Sequence, residues 1–350
     1  MYNKQISDII IIGSGPAGAS TAITCALQNL KVTLIEAKPF PRIHPGETLH
    51  PGTEPLFKQL GVLEEVLKAN FIRHQGNWVQ WEGENKFIPF GKDQEAWQGF
   101  QAIRADFDNI LLKRAQSLGV KVLQPCHASR IITRRGKIIG VETSQGLLQA
   151  SKVIDASGSN HWLAKQLGIS INYYSPRLIA HYGYAQGECP TCDEAPAIVA
   201  DSSGWTWTAK VKPQLYQWSR LRLNDDKLEK NWLPKEFEQL QVYQKTRASD
   251  VTWRIISQPA GKGYFTVGDA AMVLDPASSH GVLKAIMSGM MAGHLITSEA
   301  TGKITEQQAI QHYNKWINNW FDSDVEELSK LYKMLPNPPV WLFDCHHRRN

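Results

Sequence analysis

Cysteine is scarce. Five residues scattered through 350 are too few for a disulfide framework. Long apolar runs are missing as well: the run that follows MYNKQ is broken by Gly13 and Pro16, far short of a membrane span or a secretion signal, so a cytoplasmic chain without a membrane span is expected. Blocks of one charge are absent. The formal net charge of +5 is spread thinly, and only Arg134-Arg135 and the tail from His346 to Arg349 concentrate it. Both read as solvated surface, which leaves nucleic-acid binding without support. The length suffices for a large core, in two interlocked domains or in one with a substantial insertion.

Two of the cysteines form a CxxC, Cys189-Pro190-Thr191-Cys192, which could complete a zinc site only if Cys345, His346 and His347 met it in space. A single CxxC in a proline-rich loop is more often a turn, and no metal is expected. Tryptophan, in contrast, is plentiful at twelve residues. That suits core packing and also a site for a flat aromatic substrate.

The strongest local signal is DIIIIGSGPAG, an apolar run that empties into a glycine-rich turn. Residues 9–13 suit a strand buried on both faces. Gly13, Gly15 and Gly18 then supply the tight turn, the close backbone approach and the helix packing that a pyrophosphate needs. A helix starting at Pro16 would turn its N-H groups and dipole toward the phosphates. Ala22 and Ala26 keep that helix small against the sheet. Residues 31–35 read as a second strand ending at Glu36, whose carboxylate suits a ribose hydroxyl and repels a 2'-phosphate, favouring FAD or NAD over NADP.

The stretch after Glu36 is rich in proline and glycine and reads as a loop lining the far end of an extended cofactor. A helix is expected from Thr53. Residues 71–90 read as a hairpin carrying Trp78 and Trp81, and residues 106–118 as an amphipathic helix preceded by Arg104. Further strands are expected at residues 120–123, 131–133, 137–142 and 151–158. From residue 173 the pattern turns to strands, at 178–184, 197–200, 205–211, 216–223 and 251–256, with 228–245 largely helical. These strands would build an antiparallel sheet carrying Trp205, Trp207, Trp218 and Trp253. A strand at 264–267, a long helix from about Val282 and helical spacing over 305–335 complete the chain.

Three segments taken together, GSGPAG with Glu36, VIDASG at residues 153–158 and VGDAAMVLDPASSHGV at residues 267–282, resemble the FAD-dependent monooxygenases of the p-hydroxybenzoate hydroxylase fold. FPRIHPGETLHP and DASGSNHWLAKQLG are most similar to the branch that holds flavin-dependent halogenases and geranylgeranyl reductases. The resemblance implies an α/β fold with a Rossmann-type FAD-binding domain over residues 1–72, 100–172 and 258–300. An antiparallel-sheet substrate domain would occupy 73–99 and 173–257, and a C-terminal helical segment 301–350.

The resemblance also implies a set of cofactor contacts. They are Gly13, Gly15, Pro16, Ala17 and Gly18 at the pyrophosphate, Glu36, Ala37 and Arg42 near the adenosine, Arg104, and Asp155 with Gly158. Asp269 would sit at the ribityl or pyrophosphate part, and Pro276, Ser279, Gly281 and Val282 would lie along the isoalloxazine ring. A helix N-terminus there stabilises an anionic reduced flavin. Candidate proton donors or bases are His280, His44, Glu47 and His50, with His74 a further catalytic candidate. Trp81, Trp205 and Trp207 are candidate substrate contacts.

The implied chemistry is hydroxylation of an electron-rich aromatic through a flavin C4a-hydroperoxide in a water-poor pocket. Halogenases resemble the chain at GWTWTAKV, although their Ile-Pro is absent, and they place a lysine where His74 stands, which weighs against halogenation. Isoprenoid reduction and a non-catalytic FAD-holding protein are two rival readings. DASG in place of a DG motif, with no second glycine fingerprint, points to a separate flavin reductase or NAD(P)H as electron donor. The chain stops soon after its last helix, and an open site would admit a large substrate. A tryptophan of a partner protein, modified during cysteine tryptophylquinone formation, is the sharpest expectation.

Overall fold

The computed structural model describes residues 6–42, 47–91, 97–223 and 228–343, with backbone alone at Ile6 and Glu47. Among them lie seven α-helices: α1 (Pro16–Ala26), α2 (Glu54–Leu60), α3 (Leu63–Lys68), α4 (Arg104–Ser117), α5 (Trp162–Leu167), α6 (Gly281–Ala300) and α7 (Glu306–Lys333).

One sheet grows around the first strand, Ile6–Ile12, which pairs in parallel with Gly146–Asp155 on one side and Val32–Ile35 on the other. Tyr264–Thr266 and Lys121–Leu123 extend it in parallel at its two sides. Strand alternation explains why the first strand is apolar throughout. Ile9 and Ile11 enter the main core with α1, whereas Ile10 and Ile12 enter a second core beneath α5 and the Ala128–Arg134/Lys137–Thr143 hairpin. A second sheet of eight strands, mostly antiparallel, is built on Ile179–Gln186, Leu215–Arg222 and Gly204–Lys212. This is the α/β arrangement with a second sheet and C-terminal helices that the resemblance implies.

Three segments depart from expectation. Residues 228–245 hold only a 3-10 turn, Lys235–Phe237, and a two-residue strand, Gln241–Val242. Pro234 fixes the local backbone, and Trp232, Leu233, Phe237 and Leu240 gather on Tyr216 and Trp218 as a packed loop instead of forming a helical stripe. The expected strand at 251–256 is divided. Arg247–Asp250 is an exposed edge strand of the second sheet, whereas Arg254–Ile256 is buried and pairs with Ile171–Tyr173 and Met272–Val273. Residues 71–90 likewise serve two sheets: Ile72–His74 pairs with Gly99–Ala102, and only Gly76–Gln80 and Lys86–Pro89 form the hairpin.

Helices α1 and α6 cross with almost no side chain between them. A Cβ on Gly289 would lie 2.3 Å from the Ala17 carbonyl oxygen, and one on Gly293 2.8 Å from the Thr24 side chain. Every residue of α1 except Ala26 is buried, and all but Ile23 are small. Helix α7 starts with a capping box between Thr305 and Gln308. It then spans both sheets: Tyr313 donates to the Thr266 carbonyl at 2.7 Å, and the Tyr332 hydroxyl accepts from Trp205 Nε1 at 3.0 Å. No helix among the described residues is long and apolar enough to cross a membrane.

The helix crossing yields a direct test. Gly289→Val should lower stability by about 3 kcal/mol or more, because the new side chain meets backbone that cannot move aside. A thermal melt showing the variant as stable as the parent would contradict the packing described.

Candidate active site

Just past the C-terminal end of the first strand, Gly13 adopts a φ of +100° and lies so close to a neighbouring loop that a Cβ would sit 2.3 Å from the Ala156 carbonyl oxygen. Gly15 precedes α1 in extended conformation. No described side chain caps this helix, and Pro16 occupies its first turn, so its leading N-H groups are left for a ligand. The guanidinium of Arg42 leans over the same loop, 3.0 Å from where a Gly15 Cβ would be. Ala17 is buried and Ala37 half-buried at the rim of this turn.

Glu36 is buried and heavily engaged. Its Oε2 accepts from Ser14 N at 3.0 Å, Ser14 Oγ at 2.6 Å and Arg42 Nη1 at 3.1 Å, while Oε1 accepts, among the described residues, from Lys38 N alone at 3.0 Å. Burial pushes this carboxyl up, but the Arg42 charge and the Ser14 and Lys38 hydrogen bonds outweigh it and hold it below the usual carboxylate range. Oε1 therefore keeps acceptor capacity for a hydroxyl. Arg104 grips Asp108, one turn along α4, at 2.8 and 3.1 Å, and Arg42 reaches the same carboxylate at 3.5 Å. Asp108 is fully buried and anchors both arginines. It is absent from the sequence expectations, although Arg-x-x-x-Asp on a helix is a legible pair.

Asp155 is engaged within its own loop. Its carboxylate is fully buried and accepts from Ser157 N at 2.9 Å and Leu163 N at 2.8 Å, so it organises the loop into α5. Gly158 opens the adjacent 3-10 turn with a φ of +76°. Asp269 stands in another 3-10 turn, Gly268–Ala270, with an exposed side chain that makes no capping bond there.

The 276–281 turn exposes Pro276, Ser279 and Gly281, with Ser279 strained at a φ of +53°, and leads into α6 at the buried Val282. Asp275 lies behind it, fully buried. It accepts from Ala277 N at 2.7 Å and from the Tyr332 hydroxyl. Burial raises this carboxyl to about 6 against the opposing bonds from Tyr332 and Ala277. Lys284, one turn into α6, is buried as well, 3.8 Å from Asp324 of α7. Burial holds its ammonium below the ordinary lysine range. A lone lysine within the apolar run of α6 was the available signal for it.

The histidines converge in part. His44 lies outside the described residues, as does the side chain of Glu47, and Cys345, His346 and His347 are outside them too. His50 is half-buried, and its Nδ1 accepts from Gly52 N at 3.0 Å, which puts the proton on Nε2. Burial and then the nearby His280 lower it. His74 is almost fully buried and depressed to about 4, by burial first and then by Arg73 and His50. Phe90 stands edge-on to both rings, at 5.4 Å from His50 and 5.2 Å from His74. His280 flanks the 276–281 turn, its Nδ1 3.5 Å from Asp324 Oδ1.

The expected substrate tryptophans are largely inside the protein. Trp205 is 1% exposed with its Nε1 donating to the Tyr332 hydroxyl at 3.0 Å, and Trp81 is 5% exposed with its Nε1 donating to the Leu331 carbonyl at 2.5 Å. Trp207 is half-buried against the same core. Trp205 and Trp81 thus pack toward α7 and hold that helix. Cys189 and Cys192 are joined as a disulfide, and among the described residues no three His, Cys, Asp or Glu side chains converge as a metal site.

The profile of the tryptophan halogenase family matches residues 8–103 and 83–341. A tryptophan 2-halogenase of Chondromyces crocatus is 28% identical over 351 residues, covering 92% of this chain and 67% of that protein. A 1H-pyrrole-2-carbonyl-[peptidyl-carrier protein] brominase of Pseudoalteromonas luteoviolacea is 29% identical over 343 residues, covering 89% and 82%. In three dimensions, the myxobacterial chondrochloren halogenase CndH superposes with a TM-score of 0.85 at 22% identity, over 99% of this chain and 86% of the other.

His74 sets a pH test. An imidazole depressed from its ordinary 6.5 to about 4 supplies stability that is present above 6.5 and lost as pH falls toward 4. The loss should reach about 3 kcal/mol. In His74→Gln the acid branch of a urea-unfolding profile should be flatter by that amount; an unchanged branch would contradict a buried, neutral His74.

Proposed function

Because the chain belongs to the tryptophan halogenase family, we propose that it is an FAD-dependent enzyme that halogenates an electron-rich aromatic ring. The observation that carries this reading is the pairing of two helix starts that no described N-cap side chain caps, on helices α1 and α6 that touch backbone to backbone, within a chain that matches the family from residue 8 to 341. Gly289 of α6 rests on Ala17 at the start of α1, and the eight residues back to Gly281 make about 12 Å of helix. That interval suits the stretch between the pyrophosphate and the ring of an extended flavin.

Bound FAD supplies the activation of dioxygen by a reduced flavin, with electrons from a separate flavin reductase or NAD(P)H. The chain's own residues bind and orient it. The first turn of α1 and Arg42 face the pyrophosphate, Glu36 Oε1 takes a ribose hydroxyl, and Asp269 takes ribityl hydroxyls. The start of α6, behind Pro276, Ser279 and Gly281, favours negative charge at the ring edge. Arg104 acts with Asp108 to hold Arg42 in place. In this reading the two sheets divide the work: the Ile6–Ile12 sheet carries the cofactor, and the sheet around Gly204–Lys212 with α7 shapes the substrate side. The pyrrole named for one relative and the tryptophan named for another are both electron-rich heteroaromatics, the class we propose for this chain.

Oxygen insertion is the second reading, favoured by His74. A buried imidazole depressed to about 4 is not the ammonium that the halogenase resemblance requires at that place. In its finest form this reading takes a tryptophan side chain of a partner protein, during cysteine tryptophylquinone maturation, as the aromatic.

Two measurements check these readings. Glu36→Gln should weaken FAD binding about tenfold or more, read by quenching of flavin fluorescence, because a charge-assisted acceptor is lost. The protein supplied with a flavin reductase, bromide and an indole or pyrrole should yield a product carrying the bromine isotope doublet. A gain of one oxygen without that doublet would replace the halogenase reading by the second one.

A further inference from the structure

Between the 276–281 turn and the last turns of α7 lies a cavity of about 270 Å³, lined among others by Ser278, His280, Asp324, Leu328, Leu331 and Met334. Its two sides differ in chemistry. Leu328, Leu331 and Met334 offer an apolar wall, while Ser278, His280 and Asp324 offer polar groups. Among the described residues the buried Nδ1 of His280 has no hydrogen-bond partner and faces Asp324 Oδ1 at 3.5 Å, yet the side chain as a whole is 40% exposed. The open part of the ring is therefore the other edge, which carries Nε2. Asp324 Oδ2 is likewise buried with no hydrogen-bond partner among the described residues and faces Lys284 Nζ at 3.8 Å. The carboxylate is thus charge-compensated by a buried ammonium on one side and lies behind an imidazole on the other. A carboxylate placed behind one ring nitrogen is what allows the opposite nitrogen to take a proton.

We propose that His280 and Asp324 form a general-base pair for an aromatic substrate with an ionisable ring O-H or N-H, a phenol, pyrrole or indole, bound in this cavity. His280 is the catalytic residue and Asp324 its positioning residue. The proposal rests on the flavoenzyme reading above and specifies its substrate side. In the step, the substrate O-H or N-H bond breaks, the proton goes to His280 Nε2, and the electron pair stays on the heteroatom. Asp324 holds the Nδ1-H of the resulting imidazolium. Nothing is oxidised or reduced. The added electron density on the ring favours attack by an electrophile. Among the described residues, the charged and titratable groups around His280 are Asp324 of α7, Lys284 of α6 and His50, with Glu327 and Lys330 at the cavity wall.

The test uses the full FAD-loaded chain and 4-nitrophenol, whose ionisation is visible in a difference spectrum. The bound probe should ionise about one pH unit or more below the free probe. Asp324→Asn should remove most of that shift and His280→Gln all of it. Met334→Trp, which fills the cavity from a surface position 46% exposed, should weaken probe binding at least about tenfold while FAD binding is unchanged. An unshifted probe, a shift that survives His280→Gln, or binding indifferent to Met334→Trp would overturn the base pair. Failure of the unsubstituted chain to bind FAD would instead sink the flavoenzyme reading.

Discussion

Two helices from opposite ends of the chain touch backbone to backbone, and the candidate site depends on that contact. Gly289 and Gly293 let α6 sink onto Ala17 and Thr24 of α1, and Gly268 closes the third side against Ala17. Larger residues would part the helices and with them the two helix starts that a long dinucleotide would bridge. The contact also orients α6. With Gly289 and Gly293 turned to α1, the row of His280, Lys284 and Ser288 at four-residue spacing faces elsewhere, Ser288 onto Gly268 N and the other two onto Asp324 of α7.

Helix α7 is the second constraint. Tyr332 accepts from Trp205, donates to Asp275 and packs edge-on to Trp81 and Trp253, so one hydroxyl ties the 276–281 turn to the floor of the second sheet. Burying Asp275 is costly unless its oxygens are bonded, and the bonds it has only partly offset that cost. The turn is held rigidly from beneath while Pro276, Ser279 and Gly281 stay open above. A rigid support under an open polar turn is the arrangement that pre-organises a binding edge.

Much of this is legible in order along the chain. The glycine turn, the apolar run of the Ile6–Ile12 strand, the position of Glu36 and the start of α6 follow from local spacing, because each is set by backbone conformation within a few residues. The departures share a cause. Sequence alone puts Trp81 and Trp205 at a substrate because a tryptophan carries no sign of which surface it will meet, and α7, more than a hundred residues after Trp205, is what covers both. Asp155 ends a strand as a ligand would, but the loop it precedes folds back and uses both of its oxygens. The helical spacing in residues 228–245 is real and is overruled by Pro234 and by the aromatic cluster on Tyr216.

The sequence by itself determined that a glycine turn at Gly13 opens a helix, that a carboxylate ends the second strand at Glu36, and that a second helix start follows residue 280. These are properties of short segments, where glycine, proline and a single carboxylate dictate what the backbone can do. Only the tertiary structure decided that Arg42 and Arg104 share Asp108, that His74 is buried, and that Lys284, Asp324 and His280 line up beside a cavity. Those outcomes rest on desolvation and on contacts between distant elements, and neither quantity exists until the chain has closed around them.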